Sequence, residues 1–162
     1  MDILIKNQAL TESNPLNKAL IIVNCLFKNK CDKIGAPYVE HLYYVSNNVD
    51  TVDEKTVGLL HDVIEDTDIT ACDLRELGFK ENVINSVKLL TRDKQIPYQT
   101  YIDNIINSND KIALNVKIED MKHNMKKDRM EKLSKETCEK LNKKYSEAYI
   151  KLIRKKEEND RY

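Results

Sequence analysis

Apolar residues return every three or four positions along almost the whole chain, and the alternation that makes strands is hard to find. Only three Gly and three Pro punctuate 162 residues, too few for the turns of a β sandwich. The pattern therefore predicts an all-α fold of seven or eight helices. Asn14-Pro15 opens a helix through about Lys28, with Pro15 at the favoured first position and Leu16, Leu20, Val23 and Phe27 as its apolar stripe. A polar loop from Asn29 to Gly35 leads to Pro37 and a helix from Tyr38 to about Asn48. The next helix carries Val57, Leu59, Leu60, Val63 and Ile64 and runs to Thr67-Asp68; Thr70 caps a short one that Gly78 stops. An amphipathic stretch (Val83, Ile84, Val87, Leu90) follows, then a helix from Pro97 and a long one from Asn109-Asp110 through Lys127. Ser134 to Glu158 forms a charged final helix with Leu141, Tyr145, Ala148 and Leu152 on its apolar side. No repeat, low-complexity segment or flexible linker divides the chain. It reads as one domain over residues 1–162, with its motifs between about residues 15 and 150.

Charge narrows the partners. Lys and Arg number 27 against 27 Asp and Glu, so no net charge points to nucleic acid. The distribution is uneven: residues 111–162 hold 16 basic and 10 acidic side chains, residues 1–110 hold 11 and 17. That asymmetry suits a basic wall facing an anionic ligand, and equally a solvated basic helix. With 41% hydrophobic residues the chain can fill a core. Cys25, Cys31, Cys72 and Cys138 show neither Cys-x-x-Cys nor zinc-finger spacing, and are expected as reduced core fillers. The most apolar run, Ala19 to Phe27, is far shorter than the roughly 20 residues a bilayer requires. A cytoplasmic protein without a membrane or nucleic-acid partner is expected; its oligomeric state is open.

Three polar segments interrupt the apolar pattern. In Leu59-Leu60-His61-Asp62-Val63-Ile64-Glu65-Asp66-Thr67, His61 and Glu65 lie four residues apart, as do Asp62 and Asp66, so both rows project from roughly one side of a helix. An exposed acidic last turn would look similar, but the apolar flanks favour burial. Buried carboxylates cost several kcal/mol each unless paired, and a cation would offset that. In the second segment, Val116 to Met125, Asp120 and Asn124 again stand one turn apart. The third, Gly35-Ala36-Pro37-Tyr38-Val39-Glu40-His41, presents His41 early in a helix. Together His41, His61, Asp62 and Asp120 supply two imidazoles and two carboxylates, a set suited to manganese, iron or zinc with positions left for water and a phosphate oxygen. His-Glu-x-x-His and a Gly-rich phosphate loop are both absent, which excludes the common zinc proteases and P-loop enzymes.

The order and spacing of these segments resemble the HD superfamily of metal-dependent phosphohydrolases, and most closely the hydrolase domain of RelA/SpoT-type enzymes and small alarmone hydrolases. The resemblance implies an HD-domain helical bundle with one divalent ion, typically manganese, held by His41, His61, Asp62 and Asp120. It makes Glu65 and Asp66 the pair that orients or activates water, and sets Asn124 at the nucleotide sugar and phosphates. Tyr145 falls near an aromatic residue on the family's closing helix. The implied activity is hydrolysis of a small nucleotide, removing pyrophosphate from the 3′ position of (p)ppGpp to give GDP or GTP. Alternatives are another nucleotide (a nucleoside mono- or triphosphate, or NADPH) and a non-catalytic nucleotide-binding domain. The sequence departs from the pattern in two places: Leu42 follows His41 where Pro is usual, and Lys30-Cys31 replaces an Arg-Lys pair. Lys30 keeps a charge toward the substrate but lacks the planar guanidinium that packs on guanine.

Overall fold

Where the sequence supplies a capping side chain, a helix starts. The structure, a computed structural model, describes residues 3–161. Asn14 accepts hydrogen bonds from the Leu16 and Asn17 amides and opens α2 (Pro15–Leu26), which follows α1 (Ile3–Thr11). Thr51 and Glu54 form a reciprocal capping box at the start of α4 (Val52–Leu60), worth about 1 kcal/mol. Thr70 and Asp73 do the same for α6 (Ala71–Glu76), and Asp110 and Ser134 cap α9 (Lys111–Asn124) and α11 (Lys135–Asp160). Pro37 and Pro97 precede α3 (Tyr38–Asn47) and α8 (Tyr98–Asn107). The remaining elements are α5 (Val63–Asp66), α7 (Glu81–Leu90) and α10 (Lys127–Met130).

The all-α class holds, with eleven helical segments among the described residues rather than seven or eight. The extra segments are α1, ahead of the first anticipated helix, and two products of breaks. One break divides the expected His-Asp helix into α4 and α5 at His61 and Asp62. There the His61 imidazole bonds the Gly58 carbonyl, and a side chain bonded into the helix ladder bends a helix. The other ends α9 at Asn124 rather than Lys127, and the chain turns through Met125 and Lys126 into α10. No described helix is long and apolar enough to cross a membrane.

Helix α4 is the hub, packing against α2, α3, α7 and α9. Its Val57, Leu59 and Leu60 are fully buried in one apolar cluster with Ile22, Leu42, Ile84 and Val116. Ala148 and Leu152 of α11 close that cluster from the C-terminal side. The cysteines are not core fillers: Cys31 and Cys72 are exposed, Cys25 and Cys138 half-buried, and all four are free thiols. Apolar residues with larger side chains already fill the interior.

Gly58 sets how closely α3 and α4 approach. A Cβ built there would stand 2.9 Å from the Ser46 Cα and 3.0 Å from its amide nitrogen, both backbone atoms. Gly58→Ala is therefore expected to force the two helices apart and lower stability by about 1–3 kcal/mol. Chemical denaturation would measure this, and an unchanged midpoint would show that the close approach is not a constraint.

Candidate metal centre

The α3–α4 contact brings His41 from one helix beside His61 and Asp62 from the end of the other. One ligand atom from each of these three residues lies within 4.8 Å of the other two. Asp62 Oδ2 is 3.1 Å from His61 Nε2 and 3.8 Å from His41 Nε2. Asp120, from α9, stands at the edge of the group, its Oδ1 3.3 Å from His41 Nε2. Both imidazoles and Asp120 are buried. All four expected ligands thus converge, with His41, His61 and Asp62 forming the tightest set.

His61 carries the clearest sign of a missing partner. Its Nδ1 donates to the Gly58 carbonyl at 2.8 Å, while its Nε2 is buried without a hydrogen bond. Asp62 is near enough for attraction but not aligned to bond it. A buried polar atom without a partner is costly and rare. A divalent cation beside Nε2 would satisfy it, and two imidazoles with carboxylate oxygen suit a first-row ion. The residues fit a metal.

Tyr38, Lys117 and His123, to which the motif reading gave no role, hold this set in place together with Asn124. Tyr38 Oη donates to Asp62 Oδ2 at 2.6 Å; the bond joins α3 to the α4–α5 turn. Lys117 Nζ donates to Asp120 Oδ2 at 2.7 Å, and Asn124 Nδ2 to Asp120 Oδ1 at 2.6 Å. His123 Nδ1 lies 2.8 Å from His41 Nδ1. Helical spacing contained the signal for two of them: Tyr38 precedes His41 by three positions and Lys117 precedes Asp120 by three.

The electrostatics follow from burial against pairing. For Asp120, burial favours the neutral acid, but Lys117 and then His41 outweigh it and hold the carboxyl well below its usual range. Lys117 is raised despite its own burial, chiefly by Asp120. Burial likewise raises the Tyr38 phenol, and Asp62 adds to the effect, so its proton stays on the oxygen. Burial pushes the His61 imidazolium down, yet Asp62 and Asp120 override it and bring the pKa to about 9. A group whose pKa is raised in the folded state contributes stability below its unfolded value of about 6.5. That contribution is lost as pH rises through about 9. Metal-free protein should therefore lose thermal stability across this window. Metal binding needs the neutral ring and should tighten over the same interval as a proton is expelled. Melting curves with chelator and with added Mn²⁺ between pH 6.5 and 9 check this. Parallel curves would remove His61 from the metal-linked equilibrium.

Of the cluster, His41, Asp62 and Asp120 line a cavity of about 470 Å³, and His61 is buried outside its wall. Glu65, Asp66 and Asn124 line it, as does Tyr145 from α11. Glu65 Oε2 accepts the Arg92 backbone N–H at 3.0 Å, which anchors the carboxylate. Lys30 does not line the cavity: its ammonium bonds the Asp66 carbonyl and lies over the Phe27 ring, 5.0 Å from the centroid. Lys122 and Lys127 pair with Glu119 and Glu131 and also lie outside the cavity wall. Basic character comes instead from Lys33, Arg92, Lys94 and Lys144. Arg92 and Lys144 sit over the Tyr98 ring at 5.3 and 4.1 Å and make no ion pair with a described carboxylate. Burial, then repulsion from Arg92, Lys117 and Lys33, pushes the Lys144 ammonium below its usual range. Arg129, also in the cavity lining, pairs with Asp32 at 2.8 Å and pins the Lys30–Pro37 loop to α10. Gly35 turns that loop with φ of +82°, a conformation few other residues adopt.

No protein-family model matches the sequence. The fold is similar to the solved structure of a metazoan ortholog of SpoT that hydrolyzes ppGpp and plays a role in starvation responses. The match has a TM-score of 0.63, covers 91% of this chain and 97% of that one, and runs at 21% identity. The likeness to that structure is one of fold.

Proposed function

We propose that the chain is a metal-dependent nucleotide phosphohydrolase, and that its substrate is (p)ppGpp, cleaved at the 3′ pyrophosphate. The observation that carries the reading is the buried, unpartnered Nε2 of His61 set beside His41, Asp62 and Asp120, three residues that line a cavity with basic side chains on its wall. The match to a ppGpp hydrolase over nearly the full length of both chains supports the substrate class. His41, His61, Asp62 and Asp120 would hold one divalent ion, with manganese the ion the family resemblance implies. When bound, such an ion supplies Lewis acidity toward a phosphate oxygen and acidifies water.

The chain's own residues would do the rest. Glu65, fixed by the Arg92 amide, accepts a proton from the attacking water. Water adds to the phosphorus next to the 3′ oxygen, that P–O bond breaks, and the 3′ oxygen takes up a proton. Asp66, on the same wall, is the proton donor or the partner of Glu65. Asn124 reaches the sugar and phosphates while its amide steadies Asp120. Lys144 and Arg92 balance the charge of a polyanion.

A second reading is favoured by the placement of Lys30. With its ammonium on the Asp66 carbonyl and no guanidinium at that position, nothing in the loop stacks a guanine. The cavity would then serve another nucleotide, such as a nucleoside mono- or triphosphate or NADPH. Phosphate and pyrophosphate release from ppGpp, pppGpp and these nucleotides, assayed with added Mn²⁺, separates the two. Pyrophosphate with GDP from ppGpp is the expected result. Inert ppGpp beside turnover of a different nucleotide selects the second reading, and no turnover of any would end both.

A further inference from the structure

A histidine ligand needs its metal-facing nitrogen bare, and something must therefore hold the proton on the other nitrogen. For His61 the Gly58 carbonyl does this, accepting from Nδ1 at 2.8 Å. No carbonyl or carboxylate plays that part for His41. Its Nδ1 meets only another imidazole nitrogen, His123 Nδ1, at 2.8 Å. One of the two must donate and the other accept.

We infer that His123 is a positioning residue, whose Nδ1 lone pair accepts the His41 Nδ1–H and so leaves His41 Nε2 bare toward a divalent cation. The inference rests on the metal-site reading above. It follows from direction: His41 Nε2 is the atom that faces Asp62 and Asp120, at 3.8 and 3.3 Å. A proton on Nδ1 of His41 obliges His123 to carry its own on Nε2. The surroundings fix the second ring as firmly as the first. Tyr44 stacks on His123 with centroids 4.4 Å apart and planes 30° apart, and Lys126 lies over the Tyr44 ring, 4.0 Å from its centroid. His123 is itself buried, only 8% exposed, so water does not readily substitute for it. An imidazole acceptor also has a physical advantage over a carboxylate here. Asp62 and Asp120 already place two anions in the interior, and a neutral ring orients His41 without burying a third.

The test uses zinc, which is diamagnetic, bound to the full chain. Histidine ¹⁵N–¹H correlation spectra of the loaded, unaltered protein should show the Nδ1–H tautomer for His41 and the Nε2–H tautomer for His123. His123→Leu keeps bulk but accepts nothing, and should weaken zinc binding about 10- to 100-fold in a chelator competition. His123→Asn offers an oxygen near the Nδ1 position and should recover most of that loss. The His61 Nδ1–H signal depends on Gly58 alone, so its persistence in both variants reports an intact fold around the site. Unchanged zinc affinity in His123→Leu, or no recovery in His123→Asn, overturns the inference, as does a loaded spectrum with the proton on His123 Nδ1. That last measurement stands even if a variant fails to fold. Absence of zinc binding by the unaltered protein would remove the metal-site reading itself, a different failure from any of these.

Discussion

Asp62→Ala should abolish both metal retention and pyrophosphate release while the helical fold survives. Asp62 is the residue on which the centre closes: its Oδ2 lies 3.1 Å from His61 Nε2, 3.8 Å from His41 Nε2 and 2.6 Å from the Tyr38 hydroxyl. Removing it takes an anionic oxygen from the tightest ligand set and leaves the Tyr38 hydroxyl without its acceptor. Loss of the stabilisation a metal gives to a developing phosphate charge amounts to several kcal/mol. At about 1.4 kcal/mol per factor of ten, turnover should fall by at least a thousandfold. The apolar cluster does not depend on this side chain, since Val57, Leu59, Leu60 and Val63 are fully buried on either side of it. Far-UV circular dichroism should therefore be unchanged while metal analysis of the purified variant reads close to zero. Full activity in this variant would defeat the proposed site.

Glu65→Gln should separate chemistry from metal binding. The amide oxygen of glutamine can still accept the Arg92 N–H that Glu65 Oε2 accepts at 3.0 Å, so the side chain keeps its anchor. What it loses is the capacity to take a proton. Positioned proton transfer contributes typically 10²–10⁴-fold, and kcat should drop by about that factor with metal content intact. A variant within tenfold of the unaltered protein would mean that Glu65 only lines the wall, and the base would have to be sought at Asp66. Loss of metal would instead make Glu65 part of the ligand set.

The convergence of His41, His61, Asp62 and Asp120 was partly legible because they stand in short, ordered motifs. The Gly35–His41 segment set His41 early in a helix, and apolar flanks pointed His61 and Asp62 toward the interior. The continuous helix expected there was wrong in a useful way. Helical periodicity passes through His61 and Asp62 without a Gly or Pro, so nothing local signals the bend. The bend depends on a side chain reaching back to the Gly58 carbonyl, which periodicity does not register. Lys30 shows the same limit from the other side. Its charge suits a phosphate, but whether an ammonium meets substrate or a backbone carbonyl depends on where α5 ends relative to the loop.

Local chemistry determined the helical class, most of the helix starts and the identity of the residues able to grip a cation, because caps and apolar stripes act over only a few neighbouring positions. Tertiary packing alone decided that Gly58 lets two helices touch, that His41 meets His123 across 82 residues of chain, and that Arg92 and Lys144 rather than Lys30 supply the basic wall. Such pairings depend on the distance between elements, and that distance is set by the whole core at once.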